Sequence, residues 1–319
     1  MKRFKKILCY VGGPADPSSG LNSAADLAER NDAHLTLMDV LPESTESAWL
    51  TLPGKPELEE MVVTSRIQDL EEMAAGLRSR GLQVATVVTK GSPFVELTRR
   101  VVVEEHDLVI KTAQGLESRL GGLLGTTALH LMRKCPAPVW VVKPPTAELF
   151  GRVIAAVDPR PDRPGDDLLG IKVLELASSL AEASGSKLHV VHAWWLHSEA
   201  MLRSRRINLP PAEVDGLLRE VRGSAEQSLD ALVGRVDLSR VPHEIHIVKG
   251  QPYEVISGFA SQSDVAVIGT MSRGGVDGLL IGNTAERILR RVDCSVVAVK
   301  PEGFLTPLRF EEVVEEATV

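Results

Sequence analysis

The stretch VIGTMSRGGVDGLLIGNTAERIL, residues 267–289, carries residue types whose spacing suits the binding of phosphate. A short apolar run typical of a strand leads into a loop rich in glycine, and a helix is predicted to begin near Asn283. Backbone N–H groups in such a loop can point at phosphate oxygens, and the helix N-terminus adds partial positive charge. The stretch therefore predicts an anion-binding loop.

The same residues also have an explanation that needs no ligand. Asn283 at the N-cap, with Glu286 three residues later, forms a capping box in which side chains satisfy backbone N–H groups. Two interpretations stay open: capping alone, and capping together with anion contact. Asp158 precedes a proline, so it suits either a turn at a strand end or a contact to a ligand.

A second candidate is the loop HAWWLHSEAMLRSRRINLPP, residues 192–211, which follows a predicted strand. Two tryptophans leave that strand and a basic group comes after them; these residues are Trp194, Trp195, Arg203, Arg205 and Arg206. One interpretation is a loop that packs its tryptophans onto the edge of the sheet. The other is an amphipathic lid over an apolar or anionic ligand, or a contact between subunits.

Histidines occur as HVVH at 189–192 and as HEIH at 243–246, a pattern that raises the question of a metal site. Residues i and i+3 of a strand point to opposite faces of the sheet, so neither pair can converge on one ion. We therefore expect no metal site. No Ser-His-Asp arrangement or pair of carboxylates stands out, and we expect a protein that is not an enzyme.

Composition narrows the classes of partner. The formal net charge of -7 disfavours a general nucleic-acid binder, whose surface would be basic. Apolar runs are shorter than the roughly 18–20 residues that cross a membrane, so we expect no membrane insertion. The three cysteines lie far apart without a C-x-x-C pair, which favours a reducing compartment, and we expect the cytoplasm.

The chain is an internal duplication. Residues 107–144 align with residues 264–301 at a constant offset of 157, without a gap and with eleven identities. Upstream, TKGSPF at 89–94 matches VKGQPY at 248–253, and the openings KKILCYVGGP and GRVIAAVDPR correspond. Two homologous halves are therefore joined near the segment PPTAELF.

Within each half, short apolar β-branched runs alternate with segments in which apolar residues recur at helical spacing. The order is β-α-β-α-β-α-β-α-β, which predicts an α/β fold of two tandem doubly wound, five-stranded parallel-sheet domains. Ligands of such sheets bind at the carboxyl ends of the strands, where the strand order reverses. Both glycine-rich loops leave the sheet at such an end.

The doubled architecture, the K-G-x-P step and the loop GTMSRGGVDGLLIGNTAE resemble the universal stress proteins, specifically the tandem two-domain E-type. The resemblance covers about 300 of the 319 residues. It implies a first domain at 1–147, a second at 148–303, and an acidic tail at 304–319. It also implies that the two domains pair through their last strands, PVWVVKP and SVVAVKP, like the dimer of single-domain relatives.

ATP-binding members of that family carry G-x2-G-x9-G-[S/T] after the fourth strand, and neither half keeps the pattern whole. Each half keeps the spacing and the last glycine but has lost a different glycine, and a side chain there narrows the cradle or changes its turn. The corresponding residues are Gly269, Ser272, Gly282, Asn283 and Thr284 in the second half, and Thr112, Gly115, Gly125, Thr126 and Thr127 in the first.

Other family positions transfer unevenly. Nucleotide binders carry an aspartate after the first strand, and the second half has Asp158 where the first has Gly12. The position that faces the base and ribose corresponds to Val40 and Ala193. Lys111 replaces an apolar residue at the end of the fourth strand, where it either reaches a phosphate or fills the site. The second half is the better candidate for a nucleotide.

Three functions follow from the resemblance. The leading one is a cytoplasmic stress protein that aids stress resistance by binding ligands and proteins, with degenerate nucleotide sites. The second is an ATP-binding switch, with or without slow hydrolysis, that uses the second half with Mg²⁺. The third is a binder of a non-nucleotide apolar or anionic ligand. The pairing of the two domains leaves a homodimer of whole chains open.

Overall fold

The computed structural model describes most of both halves of the chain. The described residues are 3–43, 55–113, 125–144, 151–159, 164–204, 206–207, 209–260, 264–270, 285–288, 292 and 294–310.

The first half alternates strands and helices from its start. Its elements are β1 (Lys6–Tyr10), α1 (Ser18–Asn31), β2 (His34–Leu41), α2 (Lys55–Ser79), β3 (Val84–Lys90), α3 (Pro93–Glu104), β4 (Leu108–Thr112), α4 (Thr126–Lys134) and β5 (Val139–Val142).

Within the described residues, the second half follows the same order as far as its fourth strand, β9, and has one further short helix, α6. Its elements are β6 (Arg152–Ala156), α5 (Pro164–Ser184), β7 (Lys187–Trp194), α6 (Glu199–Leu202), α7 (Pro211–Val233), β8 (His243–Lys249), α8 (Pro252–Phe259), β9 (Val265–Gly269) and β10 (Ser295–Val299).

All ten strands belong to one sheet in the order β3-β2-β1-β4-β5-β10-β9-β6-β7-β8. Within each half the five strands are parallel and follow the doubly wound order 3-2-1-4-5. The fold class predicted from the alternating pattern is confirmed.

The halves meet through their last strands. β5 and β10 pair antiparallel, with Trp140 opposite Val297 and Val141 opposite Val296. Both strands are almost wholly apolar and buried, as expected for strands covered on both faces. Their pairing removes two exposed edges and turns two five-stranded sheets into one of ten strands. The contact between the last strands, which the resemblance implied, is present.

Two apolar layers cover the sheet, and each runs across both halves. One lies under α1, α2, α5 and α7 and includes Leu70 and Leu174. The other lies under α3, α4 and α8 and includes Leu131 and Ile256. Because strand residues alternate between these layers, the carboxyl ends of the strands are positioned from both sides.

After β10 the described chain continues to residue 310 without regular structure. The Arg99 guanidinium of α3 lies 5.6 Å from the centroid of the Phe310 ring, so this segment of the second half reaches the first. Within the described residues, no helix is both long and apolar enough to cross a membrane.

Candidate functional site

The predicted sites lie where the strand order reverses, beyond the carboxyl ends of β1 and β4 in the first half and of β6 and β9 in the second. Most of the two phosphate-loop motifs falls outside the described residues: Gly115, Ser272, Gly282, Asn283 and Thr284. The site is therefore built from the strand ends and the helices that pack on them.

Gly125 immediately precedes α4 and has a φ of 79°, a backbone conformation that favours glycine. Thr126 and Thr127 form the first turn of that helix, and Thr126 is exposed. The first half thus keeps a glycine turn that opens into a helix N-terminus.

Thr112 stands at the first motif position of the first half, and its hydroxyl serves the fold. The Gly20 N–H of α1 donates to Thr112 Oγ1 at 2.9 Å, and this hydroxyl donates to the Pro17 carbonyl at 3.2 Å. A Cβ at Gly20 would lie 2.7 Å from Thr112 Oγ1. The threonine is accommodated because the facing helix residue has no side chain.

In the second half the contact between the first helix and the fourth strand has the glycine on the strand instead of on the helix. Gly269 stands at the position of Thr112, and a Cβ there would lie 2.8 Å from Leu169 Cδ2 of α5. Here the helix supplies the large side chain and the strand end supplies the glycine. The first motif glycine of this half is therefore needed for close packing between helix and strand.

Lys111 is buried at the end of β4, on the same side of the sheet as the buried Val40. Its Nζ donates to the Thr112 carbonyl at 2.5 Å. Burial lowers the pKa of the Lys111 ammonium from 10.5 to about 8. Of the two roles expected for this lysine, the geometry favours filling the site.

The first half contains a buried carboxylate that the family motif does not include. Asp39, at the end of β2, is almost wholly buried, and its Oδ2 accepts from Arg66 Nε at 2.7 Å and lies 2.6 Å from Arg66 Nη2. A Cβ on Gly12 would lie 1.6 Å from Asp39 Oδ1. The side chain of Asp39 therefore fills the space into which a residue at position 12 would point.

The second half differs at these positions. Asp158 follows β6 and is exposed. The register position of Asp39 holds His192, whose Nδ1 donates to the Val157 carbonyl at 3.1 Å. Ala193, the next residue, is buried. The carboxylate of this half is thus carried by the residue after the first strand, the position that the family pattern implied, and this residue is exposed.

Ion pairs connect the predicted lid to the helix and the strand beside it. Arg203 donates to Asp215 at 2.7 Å and to Glu199 at 3.2 Å, and Lys249 Nζ lies 2.7 Å from the other Glu199 oxygen. Trp194 is buried at the end of β7. Trp195 is half-buried, with its ring centroid 4.8 Å from that of His197.

Of the other two arginines of the predicted lid, one is described and one is not. Arg206 is exposed, and Arg205 lies outside the described residues. Since Arg203 is already paired with two carboxylates, the described part of the lid favours the interpretation of a packed loop over that of an anion-binding one.

The comparison with known families decides the identity of this architecture. A sequence profile described as the Universal stress protein family matches residues 3–143 and again residues 150–300. The chain belongs to the universal stress protein family. The two matches also confirm the tandem arrangement.

Similar proteins cover nearly the whole length of this tandem universal stress protein. Universal stress protein E of Escherichia coli strain K12 is 26% identical, over 98% of this chain and 99% of the relative. A putative universal stress protein from Pseudomonas aeruginosa UCBPP-PA14 matches with a TM-score of 0.69 at 23% identity, covering 94% of each chain. One from Archaeoglobus fulgidus matches with a TM-score of 0.62 at 18% identity, covering 93% of this chain and 99% of the other. These structures show the fold alone.

The sequence comparison missed the Asp39–Arg66 pair for two different reasons. Asp39 is the only charged residue inside the apolar strand HLTLMDVL beyond its first position, and that placement is a usable signal of a special role. Arg66 lies in the middle of a long helix rich in charged residues, where nothing in the pattern distinguishes it. Only the packing of α2 on β2 brings the two together.

Proposed function

We propose that this universal stress protein acts by binding rather than by catalysis, and that it binds an adenine nucleotide weakly in its second half only. The observation that carries the proposal is the contrast between the two strand ends. In the first half the buried Asp39, paired with Arg66, fills the space beside Gly12. In the second half the position of Gly12 holds Asp158, which is exposed.

The first half is closed by contacts that a ligand would have to break. Opening the space beside Gly12 requires that the buried Asp39 carboxylate leave the partly exposed guanidinium of Arg66, and a buried carboxylate that loses its partner is destabilising. The hydroxyl of Thr112 and the ammonium of Lys111 are likewise engaged with the backbone. We therefore assign a structural role to the first half.

The second half retains the groups that a nucleotide needs. The exposed carboxylate of Asp158 can accept a hydrogen bond from the amino group of an adenine, and Gly269 is kept at the first motif position. Ser272 and Asn283 depart from the family pattern, which supports weak binding of ATP with Mg²⁺. The three cysteines are buried free thiols, which supports a cytoplasmic location.

Calorimetric titration with ATP and Mg²⁺ tests the proposal. We expect saturable binding by the parent chain and a loss of about tenfold or more in Asp158→Ala, since a hydrogen bond to a charged group contributes about 1.5–3 kcal/mol. Asp16→Ala is the matched control, because Asp16 is an exposed aspartate after the first strand of the other half. Equal binding by both variants would contradict the assignment, as would no binding by the parent.

A further inference from the structure

Three side chains of types that bind metals lie close together in the second half of the sheet. They lie toward the amino ends of the strands, away from the proposed nucleotide site at the carboxyl ends. In the parallel register His189 of β7 stands opposite Glu244 of β8, and His246 follows two residues later on the same face. Neither HVVH nor HEIH supplies both histidines of this cluster. Strand pairing combines one histidine from each pair, which the spacing along a single strand does not reveal.

The three donor atoms form a compact triangle. His189 Nδ1 and His246 Nε2 are 2.9 Å apart, and Glu244 Oε2 lies 3.7 Å from the first and 3.6 Å from the second. A triangle with these sides has its centre about 2.0 Å from every corner, which is the usual length of a bond from Zn²⁺ to histidine nitrogen or carboxylate oxygen. The donor atoms are thus already spaced as three ligands of one ion would be.

A neighbouring charged group holds the carboxylate of the cluster in place. Lys187 pairs with the other oxygen of Glu244, which orients the carboxylate with Oε2 toward the histidines.

The cluster is open to solvent on one side. The side chain of His189 is 10% exposed, that of His246 is 25% exposed and that of Glu244 is 47% exposed. The Phe259 ring of α8 lies 4.8 Å from the His246 ring and covers the other side. An ion bound there would therefore keep one coordination position open to water on the exposed side.

The first half shows that the fold does not need these residues. β2 and β3 have the same register as β7 and β8, and the corresponding positions hold Thr36, Ala85 and Val87. That half replaces the polar cluster by one hydrogen bond, at 3.0 Å between Thr36 Oγ1 and His106 Nε2. Two histidines and a glutamate are thus an addition specific to the second half.

We propose that His189, Glu244 and His246 bind a divalent transition-metal ion of the Zn²⁺ class. Two imidazoles and one carboxylate with a remaining water are a ligand set that Zn²⁺ adopts. Bound there, the ion links the edge strand β8 to β7 and stabilises the pairing at that edge. The alternative is a hydrogen bond between two neutral histidines that takes up no ion.

Metal titration of the full chain, prepared without a histidine tag and stripped with a chelator, separates these cases. Zn²⁺ affinity is measured by competition with a chromophoric chelator, and Co²⁺ is added to record the visible absorption of a four-coordinate site. We expect one ion per chain and a rise in Tm with added Zn²⁺. Absence of saturable Zn²⁺ binding by the parent would overturn the proposal.

The decisive variant gives the second half the residues of the first: His189→Thr, Glu244→Ala and His246→Val together. Because the same fold carries these residues at the same register, the variant is expected to fold, which circular dichroism checks. We expect its Zn²⁺ affinity to fall by more than about 100-fold, beyond the loss caused by a supporting residue. His243→Ala, on the same strand but outside the triangle, should bind as the parent does. Unchanged binding by the triple variant would place the ion elsewhere and reject the site.

Discussion

At the scale of single residues, the most consequential group in the first half is the buried ammonium of Lys111. Its pKa of about 8 is lowered by burial, so the folded chain releases this proton at a lower pH than the unfolded chain does. Between about pH 8 and pH 10.5 the unfolded chain binds more protons. The contribution of Lys111 to stability therefore rises with pH through that window, and its full penalty is present below it.

Lys111→Met keeps the apolar stem and removes the buried charge. We expect the free energy of unfolding at pH 7 to increase by about 1–3 kcal/mol, and the gain over the parent to shrink as the pH approaches 9. Urea unfolding at pH 7, 8 and 9 measures both. Lys5→Met, at an exposed position, is the control and should change stability by less than about 0.5 kcal/mol. A variant less stable than the parent at pH 7 would mean that the bond to Thr112 outweighs the burial penalty.

At the scale of elements, the two halves pack their first helix on their fourth strand by exchanging a large and a small residue. Thr112 faces Gly20 in the first half, and Gly269 faces Leu169 in the second. The apparent loss of a motif glycine in the first half is thus matched by a glycine in the helix opposite. In each half a glycine on one side of the contact makes room for a larger side chain on the other.

A double-mutant cycle on Gly269→Thr and Leu169→Ala tests this exchange. We expect Gly269→Thr alone to cost about 1–3 kcal/mol, because its Cβ would meet the leucine at 2.8 Å. The double variant should be more stable than the sum of the two changes by about 1 kcal/mol, measured by urea unfolding. Gly258→Thr, where a Cβ meets nothing within 4 Å, is the control. Strict additivity would refute the exchange.

How far the sequence predicts this molecule also becomes clear at the level of elements. Alternating periodicity and the repeat predicted each half's strands and helices, because both patterns are local and recur at a fixed offset. The contacts of Asp39 with Arg66 and of His189 with Glu244 were not predicted, because they depend on which strands and helices become neighbours. Asp158 stays a prediction that rests on a family position, whereas Asp39 has no counterpart in that pattern.

At the scale of the whole molecule, the two halves share a fold and differ at their strand ends, which is the basis of the proposed division of roles. The two halves share one sheet through β5 and β10, and both apolar layers run across that junction. The first half has the buried Asp39, paired with Arg66, beside Gly12, whereas the second half has the exposed Asp158 and the histidine cluster.

The number of nucleotides bound per chain tests the proposed division most directly. Equilibrium dialysis of the full chain against labelled ATP with Mg²⁺, at concentrations well above the dissociation constant, gives that number without assuming which half is occupied. The predicted result is one ATP per chain, with a dissociation constant that rises about tenfold or more in Asp158→Ala and stays unchanged in Asp16→Ala. Two per chain would show that the Asp39–Arg66 pair does not close the first half, and none would show that neither half is a nucleotide site.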